Sequence, residues 1–327
     1  IQAGNEIYQN LGAIYILFMN SDGTLKDFNK INYVTGLFHY DELGASLATY
    51  GDFDGDGITD IIAGMPMHDQ PNLNGGACVI ITLNADGSKK GEQMIKGSYN
   101  GMGTITKKNE FGRSIDIIGD LDGDNVDDLA IGAIGVDDAT YSNHGGVYIL
   151  LMNADGSVKS NTLISNAMVS FPYTLLGNVH FGISVAALGD LDGDGILDIA
   201  VGAEQDDDGG PDRGAMYMIL LNEDGTVKDA QKISETEGGL THAIADADRF
   251  GSSIIRIGDI NDDNIADLIV GFDTGYSIGG FFLLQIDGAE INPCDSSPCQ
   301  SGGTCTANSG DYTCACVTGF TGDNCET

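Results

Sequence analysis

Carboxylates at fixed spacing are the first chemistry this sequence offers. Asp52, Asp54, Asp56 and Asp60 stand at positions 1, 3, 5 and 9 of one nine-residue stretch (52–60). The stretch recurs at 120–128, 190–198 and 259–267, at steps of 68, 70 and 69 residues. Its acids there are Asp120, Asp122, Asp124 and Asp128, then Asp190, Asp192, Asp194 and Asp198, then Asp259, Asp263 and Asp267, with Asn261 at position 3 of the last copy. Carboxylates this close repel one another in the bare protein. A hard cation with oxygen ligands removes the repulsion, and Ca²⁺ takes about six to eight oxygens in flexible geometry. Glycines inside the loop allow the tight wrap such an ion needs. The position 7 carbonyls, of Ile58, Val126, Ile196 and Ile265, are the expected backbone ligands. Four Ca²⁺ sites are therefore expected.

An Asp-Gly turn that binds nothing would account for one copy, because such dipeptides form turns on their own. It does not account for four copies in one register. The helix-loop-helix calcium motif closes with a Glu at its twelfth position. Here that position holds Ala63, Ile131, Val201 and Val270, all apolar. The flanks read as strands, Ala-Leu-Gly before Asp190 and Ile-Leu-Asp-Ile-Ala-Val after its glycines. Each loop should join two β-strands.

The elements that must position these loops repeat with them. Gly44, Gly112, Gly182 and Gly251 each precede a first Asp by eight residues, and each follows Leu43, Phe111, Phe181 or Phe250. Gly64, Gly132, Gly202 and Gly271 follow the first Asp by twelve. An apolar strand comes next, at 77–83, 147–152, 215–221 and 281–286, and then an Asp-Gly turn at Asp86, Asp155, Asp224 and Asp287. Asp-Gly between apolar runs is a hairpin signal. Each unit thus reads as four short antiparallel strands, A (after Phe-Gly), B, C and D. A fixed period of this kind indicates an all-β, propeller-type array of four-stranded blades, in which neighbours supply one another's core.

Phe-Gly, the Asp-rich loop and Gly-Ala at these offsets resemble the FG-GAP repeats of the integrin α-chain β-propeller, over residues 8 to 288. The resemblance implies Ca²⁺ in the loops, blades around an axis and an extracellular role in adhesion or surface structure. The sequence departs from it in two ways. Integrin propellers are seven-bladed, and four loops are present here. The ends are also out of phase: residues 12–31 look like strands C and D alone, and the unit from Phe250 to Ile286 has A, B and C without a convincing D. Unpaired sheet edges invite strand addition, so head-to-tail self-association is expected.

The bulk composition sets limits. The 327 residues are 42% hydrophobic, enough for a core, with a formal charge of −35 that argues against nucleic acid or an anionic membrane as partner. No apolar run is long enough to insert in a membrane. No signal peptide is visible at Ile1, so the numbering is expected to start at a mature N-terminus or within a longer chain. The acidic B–C turns, Asp137-Asp138 and Asp206 to Asp208, are expected to be solvated, with a further weak cation site near Asp206 as the alternative.

Six of the seven cysteines lie between Cys294 and Cys325, with Cys78 alone. Such density indicates a disulfide framework and an oxidising, extracellular compartment. Spacing alone leaves the pairing open. The spacing, with Gly302-Gly303-Thr304-Cys305 and Gly319-Phe320-Thr321-Gly322, resembles an epidermal-growth-factor-like module. A boundary follows, with a repeat domain at 1–288 and the module at 289–327. The resemblance implies Cys294–Cys305, Cys299–Cys314 and Cys316–Cys325 bridges, with Ser296 and Thr304 matching O-glucose and O-fucose acceptor patterns. Its calcium pattern is partial: Glu290, Ile291 and Asn292 fit, but Ala307 stands where Asp or Asn is expected.

Nothing in the sequence assembles a catalyst. His39, His68, His144, His180 and His242 form no zinc pattern, and Cys78 on an apolar C strand reads as a buried inert thiol. The expected function is a structural or adhesive extracellular protein, calcium-stabilised, whose partners are copies of itself, as subunits of a filament, or other extracellular proteins or glycans. A glycan- or protein-binding propeller and the non-catalytic part of a larger secreted enzyme are the alternatives.

Overall fold

Alternation of side chains along each strand decides how this chain packs. A computed structural model describes residues 10–69, 71–240, 243–261, 265–273, 279–286, 304–308, 311–315, 317 and 321. Among them there are nineteen strands and no helix. Three units form complete four-stranded antiparallel sheets. The first is β3 (Leu47–Thr49), β4 (Ile61–Met65), β5 (Ala77–Leu83) and β6 (Lys89–Lys96). The second is β7 (Phe111–Gly119), β8 (Asp128–Ala133), β9 (Gly146–Met152) and β10 (Val158–Ile164). The third is β11 (Phe181–Gly189), β12 (Asp198–Ala203), β13 (Ala215–Leu221) and β14 (Val227–Ile233). In each, sheet order follows chain order, A-B-C-D, as the repeat requires.

The ends carry partial sheets in the expected phase. Strands β1 (Ile14–Met19) and β2 (Leu25–Ile31) pair alone, with Ile14 opposite Ile31. Strands β15 (Ser253–Gly258), β16 (Asp267–Phe272) and β17 (Gly280–Leu284) form a three-stranded sheet. In the tail, β18 (Thr304–Asn308) and β19 (Asp311–Ala315) pair with Cys305 opposite Cys314. The remaining four cysteines of the tail, Ser296, Glu290 to Asn292 and His242 lie outside the described residues.

The C strands of the three complete sheets are buried on both faces, and period two sends successive residues into different cores. Along β5, Ala77, Val79, Ile81 and Leu83 pack toward the β1–β2 sheet, while Cys78 and Ile80 pack toward the second blade. Along β9, Tyr148, Leu150 and Met152 face the first blade, and Val147, Ile149 and Leu151 face the third. Along β13, Ala215, Tyr217, Ile219 and Leu221 face the second blade, and Met216 faces the last sheet. Each core thus belongs to two neighbouring sheets. A single blade has no core of its own, which is the physical basis of a stacked array. Cys78 is fully buried with a thiol pushed well up by desolvation, in line with an inert role.

Strand B of one unit and the start of strand A of the next meet at a spacing only glycine permits. A Cβ on Gly64 would lie 2.0 Å from the carbonyl oxygen of Gly112 in the next blade. The same clash recurs between Gly132 and Gly182 (1.9 Å) and between Gly202 and Gly251 (2.0 Å). Gly112 itself has φ +94°, a left-handed backbone that side chains disfavour. The Phe-Gly and Gly-Ala landmarks are therefore two halves of one inter-blade contact. Ser46, Ser114 and Ser184 close it, each donating its hydroxyl to the carbonyl of Gly112, Gly182 or Gly251 at 2.8 Å. Just before each C strand, Gly12, Gly76, Gly145 and Gly214 bridge in parallel to Leu43, Phe111, Phe181 and Phe250 of the following unit.

Candidate metal centres

An A strand runs to one end of its blade, and the loop to strand B turns there. The C–D turn reaches the same end, because strands alternate in direction. Both acidic segments of a unit are thereby collected at one edge. At the A–B turn, the carboxylates of Asp52, Asp54 and Asp60 present oxygens within 4.8 Å of one another. Asp120, Asp122 and Asp128 do the same in the second blade, and Asp190, Asp192 and Asp194 in the third.

Each loop position has its own anchorage. Position 1 shapes the turn: Asp52 accepts the N–H groups of Asp56 (2.9 Å) and Gly57 (2.8 Å), and Asp120 accepts those of Asp124 and Asn125. Asp190 accepts from Gly193 and Gly195. Position 5 accepts the position 7 N–H, Asp56 from Ile58, Asp124 from Val126 and Asp194 from Ile196. These bonds hold both oxygens at position 1 and one oxygen at position 5 in place before any ion arrives, which lowers the ordering cost of coordination.

Position 9 is buried in all four copies: Asp60, Asp128, Asp198 and Asp267. One oxygen accepts the position 2 N–H, of Phe53, Leu121, Leu191 or Ile260. The other accepts the N–H of Leu83, Met152, Leu221 or Ile286 at or just beyond the end of strand C. The residue ties the loop to the blade. Burial pushes the Asp128 and Asp198 carboxyls up to about 6, against the pull of their two N–H donors; the neighbouring acids at positions 3 and 5 add to the rise. A bound divalent cation would reverse that cost.

Position 3 is where the oxygens divide. Asp122 gives one oxygen, Oδ2, to Lys159 at 2.7 Å. Its other oxygen, Oδ1, is buried and has no hydrogen-bond partner. An orphaned carboxylate oxygen in a ring of acids fits a hard cation. In the fourth loop the structure describes Asp259, Asn261, Ile265 and Asp267, while Asp263 lies outside the described residues.

Three lysines were not anticipated from the sequence. Lys90, Lys159 and Lys228, each early in a D strand, span positions 3 and 5 of their own loop. Lys90 lies 2.8 Å from Asp54 and 2.5 Å from Asp56, and Lys228 lies 2.6 Å from Asp192 and 2.5 Å from Asp194. The signal was present: a Lys stands four residues after the Asp of the turns at Asp22, Asp86, Asp155 and Asp224, at Lys26, Lys90, Lys159 and Lys228, though not after Asp287.

In the acidic B–C turn at 206–208 Asp207 is exposed as expected, whereas Asp206 is not solvated and meets a lysine where a cation was the alternative. Asp206 is buried, with Lys232 at 2.9 Å and the Tyr217 hydroxyl donating at 3.0 Å. Lys232 is itself buried and reaches Asp208 at 3.5 Å, and Ser234 donates to Asp208 as well. A strand D ammonium fills the position that the sequence reading left open for a metal. The other acidic turn keeps Asp138 exposed enough to cap its own loop, accepting from Thr140 and Tyr141. Among the described histidines, His68 pairs with buried Asp41 at 2.9 Å and His180 lies 3.3 Å from Glu204.

Comparison with known proteins agrees with this geometry. The FG-GAP repeat family profile matches residues 43–77 and 181–217, and the EGF-like domain profile matches 294–324. Integrin alpha-V of Gallus gallus is 32% identical over 265 residues, covering 78% of this chain and 23% of that protein. Integrin alpha-5 of Xenopus laevis is 30% identical over 245 residues, 71% of this chain and 20% of the relative. Integrin alpha-PS2 of Drosophila melanogaster is 32% identical over 188 residues, 53% and 12% respectively. The chain spans less than a quarter of the length of these relatives.

Proposed function

We propose that this chain, which carries FG-GAP repeats and an EGF-like domain and is similar to integrin α subunits over most of its length, is an extracellular structural or adhesive module stabilised by Ca²⁺. The observation that carries the calcium reading is the buried, unpartnered Oδ1 of Asp122 inside a ring of convergent carboxylates. In this reading the ions are held by the acids at positions 1, 3, 5 and 9 and by the carbonyls of Ile58, Val126, Ile196 and Ile265. Residues 1–288 form the repeat domain, and 289–327 form a disulfide-bonded module with the three bridges given above. The ions hold the blades in shape and carry out no reaction.

The proposed association is head to tail. The outer face of β1 and β2 exposes Tyr15, Leu17, Met19 and Phe28, and β17 exposes Phe281 and Leu283 at the opposite end. Contiguous apolar surface of this kind marks an interaction site. Light scattering across a concentration series in calcium, with electron microscopy of the same samples, tests this. Mass that grows with concentration, and fibres of uniform width, are expected. A monomer at every concentration would remove the filament from the account while leaving the calcium loops standing.

A further inference from the structure

Three loops with a described D strand each place one lysine ammonium on the same pair of carboxylates. Its contacts are the outer oxygens, Oδ2 of position 3 and Oδ2 of position 5, at 2.5–2.8 Å in all three. The inner oxygens are used differently. Those of Asp56, Asp124 and Asp194 take the position 7 N–H, and that of Asp122 has no partner. The ammonium therefore leaves the interior of the loop open to an ion. Its side chain comes from the outermost strand of the blade, across the end where the two turns meet. Three independent copies of one rotamer-rich side chain in one geometry are more than a solvated surface lysine requires, since exposed ion pairs gain little by themselves.

We propose that Lys90, Lys159 and Lys228 are tethered counter-cations: each supplies part of the metal's charge while its loop is ion-free, and thereby weakens that loop's affinity for a divalent cation. The inference rests on the calcium reading above. Without an ion, the ammonium offsets repulsion between positions 3 and 5, so the empty loop stays folded. With an ion present, a fixed positive charge a few ångströms away opposes it. Coulomb's law across water puts that opposition at about a tenfold change in affinity per loop, and salt screens it. Both effects act in the same direction, toward a weaker and more easily reversed site. The lysines are positioning residues and do not ligate.

The test is calcium titration by calorimetry on the full chain, wild type against the triple variant Lys90→Met, Lys159→Met, Lys228→Met. Methionine keeps the aliphatic stem and removes the charge. The expected result is about tenfold tighter binding at the three affected loops in low salt, a difference that shrinks in molar salt, and a lower melting temperature for the metal-stripped variant. Lys→Arg at the same positions should restore wild-type behaviour. If the triple variant does not fold, Lys159→Met alone should tighten one site. Calcium binding unchanged or weakened by the Met substitutions would overturn the inference and leave the calcium sites intact. A wild-type chain that takes up no calcium would overturn both.

Discussion

At the scale of single residues, two kinds of buried charge behave in opposite ways. Asp128 and Asp198 have carboxyls raised by burial from the ordinary 3.8 to about 6. In the metal-stripped protein, the folded state then holds more protons than the unfolded chain between those values, so stability must rise as pH falls through that window. Thermal melts of stripped protein at pH 7.5 and 5.5 should show the more acidic sample melting higher, by an amount equivalent to roughly 1–3 kcal/mol. With calcium present the trend reverses, because protons compete with the ion at position 9. The exposed acids whose carboxyls are lowered, Asp56 and Asp124 among them, act below this window. Asp206 instead meets a permanent partner. Lys232→Met would strand a buried carboxylate and should cost about 3 kcal/mol in chemical denaturation. Adding Asp206→Asn to it should recover part of that loss. The sequence showed the acidic run at 206–208 but not the lysine that answers it, because the two are 26 residues apart and meet only through the pairing of β13 with β14.

At the scale of elements, the glycine landmarks control blade contact. Gly132→Ala would drive a methyl group to 1.9 Å from the Gly182 carbonyl, which is backbone and has nowhere to retreat. Destabilisation of about 3 kcal/mol or more is expected in urea unfolding. Ser114→Ala, which removes only the 2.8 Å hydroxyl contact to the same carbonyl, should cost about 1 kcal/mol. The C strands were legible almost to the residue, 77–83 and 215–221 matching β5 and β13, because a run of apolar residues bounded by glycine and Asp-Gly has no other use in an all-β chain. Strand A of the first blade was less so, since only Leu47–Thr49 keeps regular pairing. The parallel bridges from Gly76, Gly145 and Gly214 were invisible, because a bridge between units leaves no local periodicity.

At the scale of the whole molecule, the repeat and the phase of its partial ends followed from spacing, whereas the pairing of β18 with β19 in the cysteine tail did not. Sharing of cores between neighbours was expected from the repeat; what spacing did not convey is which side chains go to which core. The alternation in β5, β9 and β13 assigns neighbouring side chains to different cores. Perturbing one blade should therefore loosen both neighbours, and unfolding should pass along the array. In each of the four units position 9 of the acidic loop is tied to an N–H at or just beyond the end of strand C.

Divalent ions, on the calcium reading, hold this acidic array together. Calorimetric melting of the full chain in millimolar calcium and after complete chelation, at pH 7.5 and with disulfides intact, tests it most directly. The account predicts a large fall in melting temperature on chelation, recovered by returning calcium to about four ions per chain. Identical melting in both conditions, with no calcium retained after dialysis, would contradict it.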